Sequence, residues 1–216
     1  MDTAAAGGEP FSFEACERVL TLKGMADAGA VASVLGCDEE EVRRAIEALI
    51  EADEAQELPG GRVRLLSPAL DRVQAAYESA ALHLSGVIEP LWGDFHDLND
   101  LLKEVVTAWQ VRSVAGEEVP NDHQDADYDR AVVERLRVEV HTGIVPIIGE
   151  VSISEARFSR YSDRLGASLE SLEAGDREMF AHPLKDSYHT VWFELHEELI
   201  RLSGRTRADE AAAGRG

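Results

Sequence analysis

Three short helical patterns follow one another near the start of the chain. The residues that begin and end these helices constrain the fold more than any other sequence feature. The stretch "FSFEACERVLTLKG" places apolar residues at helical spacing and ends at Gly24. A second pattern begins after Asp27, a favourable N-cap residue, and ends at Gly36. A third begins after Asp38, with Glu41 three residues further on, as in a capping box. We therefore expect three short helices separated by tight turns.

A β-hairpin is predicted directly after the third helix. The stretch "AQELPGGRVRLLSP" contains two short strands around the turn sequence Pro-Gly-Gly. Alternation along the second strand places Val63 and Leu65 on one face and Arg62 and Arg64 on the other. Two apolar side chains are therefore expected to face the core, and the two arginines are expected to face solvent.

The remainder of the chain is predicted to be almost wholly helical. Ser67 and Pro68 favour a helix start, and Pro90 favours another. The stretch from 112 to 129 is predicted to be a loop. Helical patterns cover about 67–88, 90–110, 158–173 and 186–202, and a further helix is expected from about 128 with a kink near Pro146.

The order of helix, helix, turn, helix and hairpin is typical of a winged helix-turn-helix domain. "LTLKGMADAGAVASVLGCDEEEVRRAIEALIEADEAQELPGGRVRLLSP" resembles the DNA-binding part of bacterial MarR-like regulators. "PNDHQDADYD" and "DSYHTVWFELHEELIRL" resemble the C-terminal part of actinobacterial MarR-like proteins that carry an extended all-helical domain. The expected fold is mainly α: an N-terminal winged helix-turn-helix with a small β-hairpin wing, followed by an all-helical bundle. The expected segments are a flexible tail at 1–10, the winged helix at 11–67, an all-helical dimerisation and effector domain at 68–204, and a flexible tail at 205–216.

The resemblance implies a ligand-responsive transcriptional regulator that binds double-stranded operator DNA as a homodimer. In this family the third helix enters the major groove and the wing contacts the neighbouring minor groove. The arginines on these elements, Arg43, Arg44, Arg62 and Arg64, are the predicted DNA-binding residues.

Two observations favour a different function for the same domain. The chain has 21 Lys+Arg against 42 Asp+Glu, a net charge of −21, which excludes broad nonspecific affinity for nucleic acid. On the third helix, Glu40, Glu47 and Glu51 accompany the arginines. The alternative is a winged-helix protein-interaction module that partners a neighbouring enzyme without specific DNA binding.

The helix at 186–202 contains two histidines inside an apolar arc. A helical wheel places His189 and His196 between Trp192 and Ile200, and places Glu194, Glu197 and Glu198 on the polar side. Polar residues also interrupt the apolar face of the helix at 90–110. These positions predict a pocket for a small-molecule effector, for which an aromatic compound is suitable. The predicted ligand-binding residues are Trp92, His96, Asn99, Trp109, His123, Tyr188, His189, Trp192 and His196.

Other interpretations of the histidines stay open at this point. They can be structural residues whose hydrogen bonds are satisfied within the bundle, or ligands of a metal ion. Their spacing matches no metal-binding motif, so no metal site and no cofactor are predicted. The sequence contains no nucleophile elbow, phosphate loop or zinc-protease motif, and no catalytic residue is predicted.

The remaining expectations concern location and cysteine chemistry. No apolar run is long enough to span a bilayer, and the N-terminus lacks a signal-type segment, which indicates a cytoplasmic protein without a membrane partner. Cys16 and Cys37 fall at apolar positions of helical patterns and are expected to be buried free thiols.

Overall fold

The computed structural model describes residues 11–114 and 116–206, and within them the chain is mainly helical with small antiparallel sheets. The helices are α1 (Phe13–Lys23), α2 (Ala28–Leu35), α3 (Glu39–Glu51), α4 (Ser67–Ile88), α5 (Trp92–Gln110), α6 (Ala126–Arg135), α7 (Thr142–Ser154), α8 (Ser159–Glu173) and α9 (Tyr188–Leu202). The strands are β1 (Ala55–Leu58), β2 (Arg62–Leu65), β3 (Val111–Val114) and β4 (Glu117–Pro120). Flexible tails were expected at 1–10 and 205–216; residues 1–10 and 207–216 lie outside the described residues.

These elements form two compact units. The first contains the described residues up to 85 together with 196–206, and the second contains 86–195. The sequence pattern placed a boundary at 67/68, within the first unit and at the start of α4. Helix α9 contributes its first half to the second unit and its second half to the first unit.

The first three helices begin and end where their caps predict. The side chain of Asp27 accepts a hydrogen bond from the backbone of Ala30 at 2.8 Å, and Asp38 caps α3 in the same manner through Glu40 at 3.0 Å. Helix α2 ends at Gly36, whose φ of 69° is left-handed and favours glycine. Local hydrogen bonding therefore sets these boundaries.

The predicted hairpin forms, and it is joined by one residue from the α1–α2 connection. Strands β1 and β2 pair antiparallel, with Val63 opposite Glu57. On the other edge of β2, Ala26 and Val63 exchange both backbone hydrogen bonds, at 3.1 and 2.8 Å. Val63 and Leu65 are buried as predicted, Arg62 is half-buried and Arg64 is exposed. β2 therefore has a hydrogen-bonded neighbour on each side.

Helix α4 and the second half of α9 complete the first unit. Glu198 of α9 is buried and accepts a hydrogen bond from the Tyr77 hydroxyl at 3.3 Å. Its carboxylate also lies 3.6 Å from the Arg18 guanidinium of α1. These contacts join the start, the middle and the end of the unit through one buried acid.

In the second unit, a π-helical turn (Leu136–His141) connects α6 to α7, so that 126–154 form one helical segment. Pro146, where a kink was predicted, lies inside α7, five residues after this turn ends. α7 packs closely on α5: a Cβ at Gly143 would lie 2.6 Å from the Leu98 side chain. The glycine therefore permits the close approach of these two helices.

The second unit is not all-helical as expected, because part of the predicted loop forms the antiparallel hairpin β3–β4. Val111 pairs with Pro120 and Val114 with Glu117. The turn contains Gly116 in a left-handed conformation, with φ of 89°. Both strands are four residues long and do not alternate strictly between apolar and polar residues, so the pattern was too weak to predict strands.

The polar side predicted for α9 is wrong. Glu194 and Glu198 are buried at 2% and 1% exposure, whereas His189 and Phe193 are exposed. The reason is ion pairing with distant arginines, since Arg164 donates to Glu194 at 2.7 Å. A carboxylate that is paired and hydrogen-bonded can be buried at a position where an unpaired one cannot.

The described residues include no helix that is both long and apolar enough to cross a membrane. Of the two cysteines, Cys16 is buried as predicted and Cys37 is half-buried, and both are free thiols. Burial, followed by the neighbouring charge of Glu17, raises the pKa of Cys16 to about 12. The Cys16 thiol therefore stays protonated at neutral pH and is a poor nucleophile.

Candidate functional site

The predicted DNA-binding arginines lie on two elements of the first unit and differ in their contacts. On α3, Arg43 forms ion pairs with Glu39, at 2.5 Å, and with Glu40. Arg44 donates to the backbone oxygen of Glu40 at 3.2 Å. On β2, Arg64 donates twice to the Gln56 side chain, at 3.1 and 2.7 Å.

Acidic groups dominate the surface of α3. Glu39, Glu40, Glu47 and Glu51 are exposed beside Arg43 and Arg44. Within the described residues, Arg62 forms no ion pair. The hairpin therefore offers positive charge with fewer competing acids than the helix does.

The nine predicted ligand-binding residues do not form one site. Five of them, all in the second unit, lie in an aromatic–amide cluster that also includes Phe95. We define this cluster as Trp92, Phe95, His96 and Asn99 of α5 with Tyr188 and Trp192 of α9. Two others, Trp109 and His123, lie near the other end of α5. Asn99 and Trp109 are ten residues apart on this helix, which is about 15 Å.

The aromatic–amide cluster is held by ring contacts between α5 and α9. Phe95 stacks on Trp192 with ring centroids 5.6 Å apart, and Trp92 meets His96 edge-on at 4.8 Å. Tyr188 stacks on Trp192 at 6.4 Å. All of these residues are buried, so the cluster combines a largely apolar interior with a few polar atoms.

Asn99 is a polar residue of this cluster that has an unused donor. Its Oδ1 accepts a hydrogen bond from the Trp192 Nε1 at 3.0 Å, which fixes the orientation of the amide because an indole N–H can only donate. Its Nδ2 is buried and has no hydrogen-bond partner among the described residues. A buried donor without a partner costs about 1–3 kcal/mol, so an acceptor oxygen placed here would be stabilised.

The π-helical turn adds His141, which the sequence argument missed, to the edge of this cluster. The His141 Nδ1 lies 3.3 Å from the Tyr188 hydroxyl. Burial, followed by the charge of Arg137, lowers the pKa of His141. The imidazole is therefore neutral at pH 7, and its Nδ1 shares a hydrogen bond with the Tyr188 hydroxyl. A π-turn is often found near functional sites, but no sequence pattern of this chain indicated one.

The second group, the His123 cluster, consists of Trp109, Asn121, His123, Asp129, Arg177 and Phe180. His123 adopts a left-handed conformation with φ of 56°, and its backbone N–H donates to the Asn121 side chain at 3.1 Å. Its Nδ1 lies 3.0 and 3.2 Å from the two oxygens of Asp129. Trp109 packs between the His123 ring, at 4.5 Å, and the Phe180 ring, at 4.4 Å.

Asp129 organises the His123 cluster. Its carboxylate accepts from the Asn121 amide at 2.9 Å and lies 3.3 Å from Arg177. Because a carboxylate only accepts, the His123 Nδ1 donates to Asp129. This is the arrangement that orients an imidazole as a hydrogen-bond acceptor, a base or a metal ligand.

Sequence reasoning found His123 and Trp109 but missed Asp129, Arg177 and Phe180. The signal for the acid was present, because Asp129 lies within about one helical turn of the start of α6, near enough to contact the preceding loop. Nothing local marked Arg177 or Phe180, which follow α8 some fifty residues later.

The two histidines that prompted the pocket prediction differ in their surroundings. His189 is exposed, and His196 is buried in the half of α9 that belongs to the first unit. No group of three or more metal-ligating side chains is present within the described ranges. The described part of the second unit also contains a shallow groove of about 400 Å³ whose lining includes Lys103, Arg112 and Tyr128, but none of the nine predicted residues.

Comparison of the chain with family models, with curated proteins and with solved structures finds no match in any of the three.

Proposed function

We propose that the chain is a DNA-binding regulator of the winged helix-turn-helix type, which binds operator DNA as a homodimer and responds to a small molecule bound by its second unit. The observation that carries the proposal is the reciprocal hydrogen bonding of Ala26 with Val63. It joins the α1–α2 connection to the hairpin, as the first strand of a winged helix joins its wing. The order α1, bridge, α2, α3, β1, β2 supports this assignment, because a winged helix has the same order of elements.

The balance of charges assigns the wing a larger share of the binding than α3. The ion pairs of Arg43 are exposed and contribute at most about 1 kcal/mol each, so a phosphate could replace them. Glu47 and Glu51 take no part in these ion pairs, and their charges would still repel the DNA backbone. Arg62 and Arg64 lie on β2 next to the glycine turn and are free of this repulsion. Two copies would double these basic contacts, which a chain of net charge −21 requires.

The aromatic–amide cluster supplies the proposed effector site. A ligand with a flat apolar body would replace ring contacts between α5 and α9, and a carbonyl or carboxylate oxygen would accept from the Asn99 Nδ2. The ligand would shift the chain between a conformation that binds DNA and one that does not. The size of this shift is set by the difference in the affinity of the ligand for the two conformations.

The alternative function, a winged-helix module that binds a partner protein, is favoured by the acidic surface of α3. Four exposed glutamates on one helix suit a basic protein surface better than a phosphate backbone. The same experiment separates the two functions.

The test is a mobility-shift titration with the intergenic DNA upstream of the gene, repeated over a series of salt concentrations. Replacing both Arg62 and Arg64 by Ala should weaken binding and reduce the slope of log K against log salt by about two, one for each lost phosphate contact. The matched control is Arg130→Ala, which removes an exposed arginine of α6 paired with Asp127. Absence of any shift at low salt would overturn the DNA-binding proposal and favour the protein-interaction function.

A further inference from the structure

One face of the β1–β2 hairpin carries positive charge and no acid. Gln56 lies directly opposite Arg64 in the strand register, and Leu58 lies opposite Arg62. Alternation along each strand places these four residues on the same face, which we define as the outer face of the hairpin. Glu57, the one acidic residue of the two strands, alternates onto the opposite face. The hairpin therefore presents positive charge on a chain whose net charge is −21.

Gln56 fixes the direction of the Arg64 side chain on this face. The Gln56 Oε1 accepts a hydrogen bond from the Arg64 Nε at 3.1 Å and another from the Arg64 Nη2 at 2.7 Å. Because a guanidinium can only donate, these two contacts also settle which end of the amide is the oxygen. The Gln56 Nε2 and the Arg64 Nη1 have no hydrogen-bond partner among the described residues. Two neighbouring side chains therefore keep N–H donors for a ligand.

The partner of Arg64 differs in charge from the partners of Arg43. On α3, Arg43 is paired with Glu39 and Glu40, whose charges oppose its own. Gln56 is neutral, so it restricts the Arg64 side chain without cancelling the positive charge. A long side chain loses rotamer freedom when it binds a ligand, and this loss is smaller if the side chain is already held in place. Arg64 is therefore prepared for binding in a way that Arg43 is not.

We propose that Gln56 is a positioning residue of the DNA-binding surface, which holds Arg64 for contact with a backbone phosphate and donates its own amide N–H to the same phosphate. The inference rests on the proposed function, which assigns Arg62 and Arg64 to DNA but not Gln56. A phosphodiester suits the pair because it carries one negative charge and two acceptor oxygens. The guanidinium supplies the opposite charge and one N–H, and the amide supplies another N–H. Contacts of this kind fix the position of a protein on DNA and carry no sequence information.

Two substitutions of Gln56 separate its effect on charge from its effect on position. Gln56→Glu places a carboxylate against Arg64, so binding should weaken by about tenfold and the slope of log K against log salt should fall by about one for each bound copy. Gln56→Ala leaves the charge of Arg64 intact but releases its side chain. Binding should then weaken by about two- to tenfold with an unchanged slope, as expected for one more side chain that becomes immobilised on binding.

The measurement is the mobility-shift salt series of the full chain with the intergenic DNA, repeated with a duplex of unrelated sequence, on which the fold-losses should be the same. The matched control is Gln74→Glu on α4. The Gln74 amide oxygen also accepts from an arginine of the first unit, Arg201, at 3.4 Å, but it lies outside the hairpin. This control changes the net charge equally and should leave the slope unchanged. Gln56 is exposed, so its variants should melt as the wild type does.

A second readout examines the positioning step without DNA. NMR relaxation of the Arg64 Nε–H in the free chain should show a rigid group in the wild type and a mobile one in Gln56→Ala. Equal mobility in the two proteins would overturn the positioning role. Wild-type binding that neither Gln56 variant changes would overturn the role of Gln56 alone. Absence of any shift by the wild type at low salt would instead overturn the proposed function, and the binding role of Gln56 with it.

Discussion

Replacement of Arg164 by leucine should strongly destabilise the second unit. The Arg164 guanidinium donates to both oxygens of Asp186, at 2.7 and 2.5 Å, and to Glu194 at 2.7 Å. Burial disfavours its charge, but the hydrogen bonds of Asp186 and the charge of Glu194 outweigh this effect and raise the pKa of Arg164. Arg164 and Glu194 are nearly inaccessible to water, with side-chain exposures of 7% and 3%.

The expected magnitude follows from the two acids that the variant would leave behind. Removing one partner of a buried ion pair costs about 3–5 kcal/mol, because the other charge stays buried without compensation. Asp186 is 29% exposed and can recover part of its hydration, but Glu194 cannot. The double variant Arg164→Leu, Glu194→Leu should therefore be at least about 2 kcal/mol more stable than the single variant.

The assay is urea unfolding followed by tryptophan fluorescence. All three tryptophans of the chain, Trp92, Trp109 and Trp192, lie in the second unit, so their emission reports on that unit alone. Arg130→Leu is the control, because its pair with Asp127 is exposed and should contribute less than about 1 kcal/mol. A loss below 1 kcal/mol for Arg164→Leu, or a double variant no more stable than the single one, would refute the reasoning.

Two further predictions concern the polar clusters of the second unit. Burial lowers the pKa of His141, so the unfolded chain takes up a proton first, and stability should fall as the pH decreases below about 6.5. His141→Asn should flatten this decline in the urea midpoint, with a residual slope from His189, whose pKa is also lowered by partial desolvation of its ring; equal slopes in both proteins would contradict the prediction. Asn121→Ala should cost about 2–3 kcal/mol, since it removes the donor to Asp129 and the acceptor for the backbone of the His123 loop, whereas exposed Gln124→Ala should be neutral. If the Asn121→Ala variant were as stable as the Gln124→Ala control, the Asn121 amide would make no contribution to stability.

The elements that the sequence predicted well are those whose boundaries depend on nearby residues. Asp27 and Asp38 cap their helices through the backbone two or three residues on, and Gly24 and Gly36 end helices with a positive φ. These interactions span a few residues, so a single sequence contains them completely. The hairpin around Gly60 was predictable for the same reason.

The features that the sequence did not predict depend on residues far apart in the chain. A helical wheel of α9 assigns Glu194 to solvent, because it contains no information about Arg164, thirty residues earlier. For a related reason, the pocket prediction assigned residues of separate clusters to a single site. Nine polar and aromatic positions were compatible with one site, but the length of α5 holds Trp109 about 15 Å from Asn99.

The second half of helix α9 belongs to the first unit, but the ribosome synthesises it much later than the other residues of that unit. About 110 residues separate 85 from 196, so translation at about 5–20 residues per second delays completion of the first unit by roughly 5–20 seconds. The second unit is contiguous and can fold during that interval. Tyr77 and Arg18 cannot form their contacts with Glu198 until that residue has been synthesised. During this interval, the apolar surface that Leu199 later covers stays accessible to chaperones. The nascent chain is therefore expected to complete the second unit before the first.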